Sequence, residues 1–262
     1  MSHPRIATHG KTKVMTRLAG TFCLLMLSTS VLLAQDKARA IIERAIQAQG
    51  GIANIAKLRT MQIEVEGTAV LAPGEAEIPV RLIDTWQMPD RYKTSAVFQT
   101  ADGRVSQTQA IVGNQGWIEL NGEVQDLPRE AVSEMKEQKY AEDLDRLGFI
   151  NEDAFQLSVT QPIKVNGKPA VGVGIESKGH RHVTLYFDTD SGLLVKREQT
   201  LLDPSVGKEV LQEVIFTDYR EQDGLKHYRQ ILALRGGKKM VQAKVTKLLF
   251  FETLDDKVFA KP

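Results

Sequence analysis

The segment MQIEVEGTAVL, residues 61–71, decides the fold class of this protein. Met61, Ile63 and Val65 are apolar, and the residues between them are polar. A period of two puts successive side chains on opposite faces of a β-strand. The segment is therefore predicted to be a strand with one buried face and one solvated face.

Strand-like segments of this kind recur at even spacing from residue 60 to the C terminus, and about a dozen are predicted. Turn residues separate them, and Asn121–Gly122 is the strongest hairpin signal among these turns. No linker rich in Pro, Gly or Ser interrupts the series. The pattern predicts a single domain over residues 35–262, built on a large antiparallel sheet that forms a sandwich or a barrel.

Two longer helical segments accompany the strands. Residues 36–49 carry apolar side chains at helical spacing and end at a Gly pair, and a short second turn is predicted at residues 52–58. The segment Pro128–Leu147 has no strand pattern, begins with Pro, is rich in helix formers and is followed by Gly148. The predicted fold class is mainly β with flanking helices.

Residues 1–34 have the features of an export signal. A basic stretch precedes Leu18–Ala34, an apolar run of 17 residues that ends in a small residue. This arrangement predicts a signal peptide, cleaved after residue 34, and a periplasmic protein secreted across the inner membrane. An uncleaved membrane anchor is the alternative, although 17 residues with four Ser or Thr are few for a bilayer span. The only cysteine, Cys23, lies in this run, so the mature chain would have no disulfide and no thiol nucleophile.

The charge balance excludes one class of partner. In the 262 residues, 34 Lys and Arg nearly balance 33 Asp and Glu. Four of the bases and none of the acids lie in residues 1–34, so the remainder is mildly acidic. Nucleic-acid binding normally requires a clustered basic surface, so nucleic acid is not expected as a partner.

Several segments, in their order along the chain, resemble one protein family. They are the Gly50–Gly51 pair after the first helix, LYFD at residues 185–188, SGLL at 191–194, FTDYR at 216–220, DGLK at 223–226 and LDDKVFAKP at 254–262. Together they resemble the outer-membrane lipoprotein-sorting proteins of the LolA/LolB-like superfamily. The resemblance implies a half-open antiparallel barrel with a helical lid and an apolar cavity for acyl chains. It also implies a non-enzymatic carrier with envelope donor and acceptor proteins and transient membrane contact.

Apolar faces that could meet an acyl chain follow from the alternation along the strands and the stripe along the helix. The candidate ligand-binding residues are Leu82, Trp86, Phe98, Trp117, Leu144, Leu147, Leu185 and Phe187. Ordinary core packing is the competing interpretation of each residue, because most apolar strand faces are core. On the second strand, Asp84 interrupts the apolar face between Leu82 and Trp86.

No nucleophile elbow, zinc-protease motif, phosphate loop or dinucleotide fingerprint occurs, so no catalytic residue, metal or cofactor is predicted. His180 and His182 lie two residues apart beside Gly179, which indicates solvated side chains near a hairpin turn. Zinc would require further ligands.

Two other functions remain open from the sequence. One is an envelope module that binds a protein partner, such as a stress sensor or a maturation factor, through an exposed apolar patch and without a lipid cavity. The other is a cavity enzyme that uses His182 or His227 with a nearby carboxylate. The nature of the largest cavity distinguishes all three.

Overall fold

A computed structural model describes residues 35–72, 74–150, 154–203 and 207–262. The predicted signal peptide, residues 1–34, lies outside the described residues. Within them, no helix is both long enough and apolar enough to span a bilayer.

Sixteen strands are described. They are β1 (Thr60–Ala69), β2 (Ile78–Gln87), β3 (Arg91–Thr100), β4 (Gly103–Val112), β5 (Gln115–Leu120), β6 (Glu123–Asp126), β7 (Phe155–Val159), β8 (Ile163–Val165), β9 (Lys168–Ser177), β10 (Val183–Asp188), β11 (Leu194–Asp203), β12 (Lys208–Thr217), β13 (Arg220–Gln222), β14 (Leu225–His227), β15 (Gln230–Arg235) and β16 (Lys238–Phe250).

Fourteen of the strands form one curved antiparallel sheet. The path runs β6-β5-β4-β3-β2-β1-β16-β15-β12-β11-β10-β9-β7, and β8 pairs with β9. In the part of the chain that is described, β6 and β7 are the two ends of this path and do not pair, so the sheet is not closed. The predicted mainly β fold, a half-open barrel with helices, is confirmed.

The alternation that predicted β1 is confirmed by burial. Met61, Ile63 and Val65 are each at most 3% exposed. Sixteen strands are described where about a dozen were predicted. Pro162 separates β7 from β8, since Pro has no N–H to donate to a neighbouring strand.

Five helices accompany the sheet in the described part of the chain. They are α1 (residues 35–49), α2 (Ile52–Ile55), a 3-10 helix (Ala56–Arg59), α3 (Arg129–Leu144) and a second 3-10 helix (Asp256–Val258). The predicted helix Pro128–Leu147 is confirmed as α3, with Pro128 as its N-cap and an earlier end. Leu147 has a φ of 60°, which lies outside the helical region and is consistent with that earlier end.

Helix α3 joins one end of the sheet to the other. It follows β6, precedes β7, and contacts β4 and β5 on one side and β11 on the other. Ala141 and Leu144 point from α3 into the main core and are not exposed at all. This core, shared by α1, α3 and the concave face of the sheet, fixes the position of the helices.

Candidate functional site

A cavity of about 330 Å³ lies between the concave face of the sheet and the helices. Its floor is apolar and comes from several strands. Ile63 and Val65 lie on β1, Leu82 on β2, Phe98 on β3 and Val214 on β12, and all five line the cavity. Because alternate residues of a strand face the same side, the same period that built the sheet supplies this apolar surface.

One wall of the cavity is polar and charged. Glu142 lies on α3, Asp145 and Arg146 follow its last turn, and Arg197 lies on β11. Arg197 Nη1 forms an ion pair with Asp145 Oδ2. Arg146 Nη1 donates to Asp143 Oδ1 at 2.7 Å. The end of α3 therefore brings two guanidinium groups and three carboxylates together at one side of the cavity.

Trp86 connects the polar wall to the floor. Its ring lies under the Arg146 guanidinium, with 4.5 Å from Cζ to the ring centroid, which is within the range of a cation–π contact. The ring of Tyr92 is 5.5 Å from that of Trp86. The hydroxyl of Tyr92 donates to Asp84 Oδ1 at 3.2 Å. Asp84, which interrupts the apolar alternation of β2, thus faces the same cavity.

Loss of water shifts the pKa values of several groups in the cavity. Burial raises the pKa of Asp84 to about 7, and the negative charge of Glu142 adds to this effect. Burial also raises the pKa of Asp145 to about 7, against the opposing effect of Arg197. Burial lowers the pKa of His227 to about 4, so this imidazole is neutral at pH 7. Its Nδ1 donates to the carbonyl oxygen of Tyr228 at 2.8 Å.

Solved structures with the same architecture exist. No family model matches the chain, and no curated protein matches it. The chain is similar to a LolA superfamily protein from Nitrosomonas europaea, with a TM-score of 0.54 and 13% identity over 86% of this chain and 97% of the other. It is also similar to a DUF1329 family protein from Desulfovibrio piger, with a TM-score of 0.52 and 12% identity over 85% of this chain and 97% of the other.

The chain has a LolA-like fold. The resemblance predicted from the sequence is confirmed at the level of the fold. At 12–13% identity these likenesses give no information on the ligand.

The eight predicted ligand-binding residues lie in three different places of the LolA-like fold. Leu82, Trp86 and Phe98 line the cavity. The structure places Leu144, Leu147, Leu185 and Phe187 in the packed core beside it, and each is at most 1% exposed. The eighth residue, Trp117, lies at a different groove.

This groove, of about 1110 Å³, lies on the other side of α3, against β5, β6 and the end of the chain. The Trp117 indole Nε1 donates to the carbonyl oxygen of Phe259 at 3.0 Å. Phe259 is only 1% exposed. Trp117 therefore anchors the C-terminal segment to the sheet.

The middle of α3 is held by the turn between β9 and β10. Arg181 donates two hydrogen bonds to Glu134, at 2.7 and 2.9 Å. The ring of His180 stacks on Tyr140 at 3.8 Å, and its Nδ1 lies 3.0 Å from Glu137 Oε1. These contacts form a polar latch between α3 and the sheet, outside the cavity.

The predicted hairpin position of His180 and His182 is confirmed, and both residues are exposed. His180 nevertheless has a role that the sequence did not indicate, because it packs against α3. Among the described residues, no group of three His, Cys, Asp or Glu side chains is arranged to hold a metal ion.

The residues that sequence reasoning missed are those of the polar wall. Arg146 and Asp145 follow a helix with mixed polarity, and Arg197 lies on a strand more than fifty positions later. Each looks like an ordinary surface residue in the sequence. The one available signal was Asp84, a carboxylate in an otherwise apolar strand face.

Proposed function

We propose that this protein is a non-enzymatic carrier of the cell envelope that binds the acyl chain of a lipid or lipoprotein. The observation that supports this function is the cavity of about 330 Å³, which has an apolar floor and lies under two helices. Its volume is near the lower end of the range for small-molecule sites, about 300–1,000 Å³. That size favours one chain over two.

Sequestration supplies the binding free energy in this proposal. Each methylene transferred from water to the apolar floor contributes about 0.8 kcal/mol. Leu82 and Phe98, on neighbouring strands, provide part of this surface. A carrier also has to release its ligand, and the latch from α3 to the β9–β10 turn consists of polar contacts that are easier to open than a packed core.

The place of action in this proposal is the periplasm, reached through the predicted signal peptide of residues 1–34. The mature chain, residues 35–262, acts as a single domain. A donor and an acceptor protein and transient contact with a membrane surface complete the carrier cycle.

Native mass spectrometry of protein purified from the cell envelope tests this function. We expect a fraction of the protein to carry the added mass of a single-chain lipid. A fluorescent fatty-acid probe should bind to the delipidated protein with one site per chain. Protein that carries no lipid and binds no probe would contradict the carrier function.

The alternative of a protein-binding module assumed an exposed apolar patch and no internal cavity. The larger groove beside Trp117 is a surface feature, and it is the smaller cavity, between the sheet and the helices and with an apolar floor, that supports the carrier. The alternative of a cavity enzyme needs a histidine paired with a carboxylate. His227 lines the cavity, but among the described residues its ring has no hydrogen bond to a carboxylate. With a pKa of about 4 and no carboxylate partner, His227 is a weak candidate for a general base.

A further inference from the structure

Polar atoms that lack a partner are concentrated at the cavity. Eight buried side-chain N or O atoms have no hydrogen-bond partner among the described residues. Five of the eight belong to residues that line this one cavity, namely Trp86, Glu142, Asp145, Arg146 and Arg197. Buried polar groups are normally paired, because an unpaired group loses its hydrogen bonds to water. Such a cluster beside a cavity indicates a place where water or a ligand makes the hydrogen bonds.

Three of these atoms are donors. They are the indole Nε1 of Trp86 and the guanidinium Nε atoms of Arg146 and Arg197. Trp86, Arg146 and Arg197 are 5%, 8% and 4% exposed, respectively. A group that contacts this wall therefore has to offer acceptor oxygens.

The other two atoms are carboxylate oxygens, Glu142 Oε2 and Asp145 Oδ1, which accept hydrogen bonds when the groups are ionised. In each carboxylate the second oxygen is already used, by Gln138 for Glu142 and by Arg197 for Asp145. The same group therefore has to donate hydrogen bonds as well. A hydrocarbon chain end does neither, and a carboxylate head only accepts.

The charges of the side chains in the polar wall further limit the chemistry of the ligand head. Arg197 is paired with Asp145, and both Arg146 and Lys139 are paired with Asp143. Counted together with Glu142, three cationic and three acidic side chains meet at this wall, so their formal charges balance. A second anion would be repelled by Glu142, and an ammonium group would face both guanidinium groups. A neutral head satisfies all of the contacts.

We propose that the ligand is a single-chain lipid with a neutral head that both donates and accepts hydrogen bonds, of the monoacylglycerol class, and that this head lies inside the cavity against Trp86, Asp145 and Arg197. This inference rests on the proposed carrier function. The ester carbonyl supplies an acceptor, and the two glycerol hydroxyls supply donors and further acceptors. The acyl chain lies on the apolar floor.

Two ligands with one acyl chain test the inference. Unlabelled 1-decanoylglycerol and methyl decanoate, both below their aggregation limits, compete with a bound fluorescent fatty-acid methyl ester, a probe whose head carries no charge. They share the chain and the ester and differ in the glycerol hydroxyls. We expect the glycerol ester to bind at least about tenfold more tightly, since hydrogen bonds to charged groups are worth that much or more.

Two variants locate the effect. Glu142→Met removes one acceptor, and we expect it to reduce the ratio of the two affinities to below about threefold with little change for the methyl ester. The matched control is Glu130→Met, the same change on the same helix at an exposed position. It should keep the wild-type ratio.

Trp86→Phe removes a donor that has no partner in the protein and keeps an aromatic ring. We expect the variant to fold normally and to bind the glycerol ester about threefold or more weakly than the wild type. Trp117→Phe is the control, because Trp117 lies outside the cavity.

Equal binding of both esters by the wild type would overturn the inference and leave the carrier function intact, because water would then satisfy the polar wall. Failure of both esters and of the probe to bind would overturn the carrier function as well.

Discussion

Filling the cavity with side-chain atoms separates a binding site from a packed core. Ala96 lies on β3 opposite Leu82 of β2, and its side chain lines the cavity floor. Ala96→Leu adds three carbon atoms at this point. If each occupies roughly the 30 Å³ of a water-sized group, the three take up about a quarter of the cavity.

The expected change in stability follows from the space available. Three carbons buried against the apolar floor contribute up to about 2.4 kcal/mol, at about 0.8 kcal/mol for each. The unfolding free energy of Ala96→Leu should therefore stay unchanged or rise. Ala141→Leu is the matched control, since Ala141 is fully buried on α3 in the core. Overpacking there should cost about 1–3 kcal/mol.

Urea denaturation measures both unfolding free energies, and titration with the fluorescent fatty-acid probe measures binding. Ala96→Leu should weaken binding of the probe at least about tenfold, because part of the apolar floor is no longer available to the ligand. A destabilisation of Ala96→Leu as large as that of Ala141→Leu would refute the reasoning, since it would mean that the floor is already packed.

Three further outcomes are expected. Asp84→Asn should stabilise the protein at pH 8 and have little effect at pH 4. The raised pKa of Asp84 makes the folded wild type lose stability as the pH rises from about 4 to 7. At about 1.4 kcal/mol per pKa unit, the gain is at most about 4 kcal/mol, and urea denaturation at each pH measures it. Leu144→Arg should lower the unfolding free energy by about 3–5 kcal/mol, since Leu144 is 0% exposed. Thermal unfolding measures this loss, with Glu130→Arg at an exposed position of the same helix as the control. A variant that stays folded and only binds the probe more weakly would contradict the core position of Leu144. The intact mass of protein from the envelope should match residues 35–262, and a mass that retains Leu18–Ala34 would overturn the signal peptide.

The strands and helices were accessible from the sequence because their signals are local. The alternation of Met61, Ile63 and Val65 predicted the buried face of β1, and the composition after Pro128 predicted α3. Both signals are read within a few residues and need no knowledge of the rest of the chain. The fold class followed from the number of such strands.

The distinction between cavity and core was not accessible in this way. Leu82 on β2 and Leu185 on β10 belong to the same kind of alternating face. The first lines the cavity, and the second lies in the core. What separates them is the position of α1 and α3 over the sheet, which depends on contacts between segments far apart in sequence. The polar wall has the same origin, since Asp84, Asp145 and Arg197 meet only in the folded chain.

The position of α3 between the two ends of the sheet has a mechanical consequence. In a closed barrel, the circumference is set by the number and stagger of the strands, and it can change only by breaking backbone hydrogen bonds. Here the circumference is completed by a helix, through side-chain contacts such as Glu134 with Arg181 on one side and Lys136 with Asn114, at 2.7 Å, on the other. A wider interior would therefore cost side-chain contacts of α3, including the core packing of Ala141 and Leu144, while the hydrogen-bonded sheet stays intact. The boundary between α3 and the sheet is thus the place where the interior can widen without loss of backbone hydrogen bonds between strands.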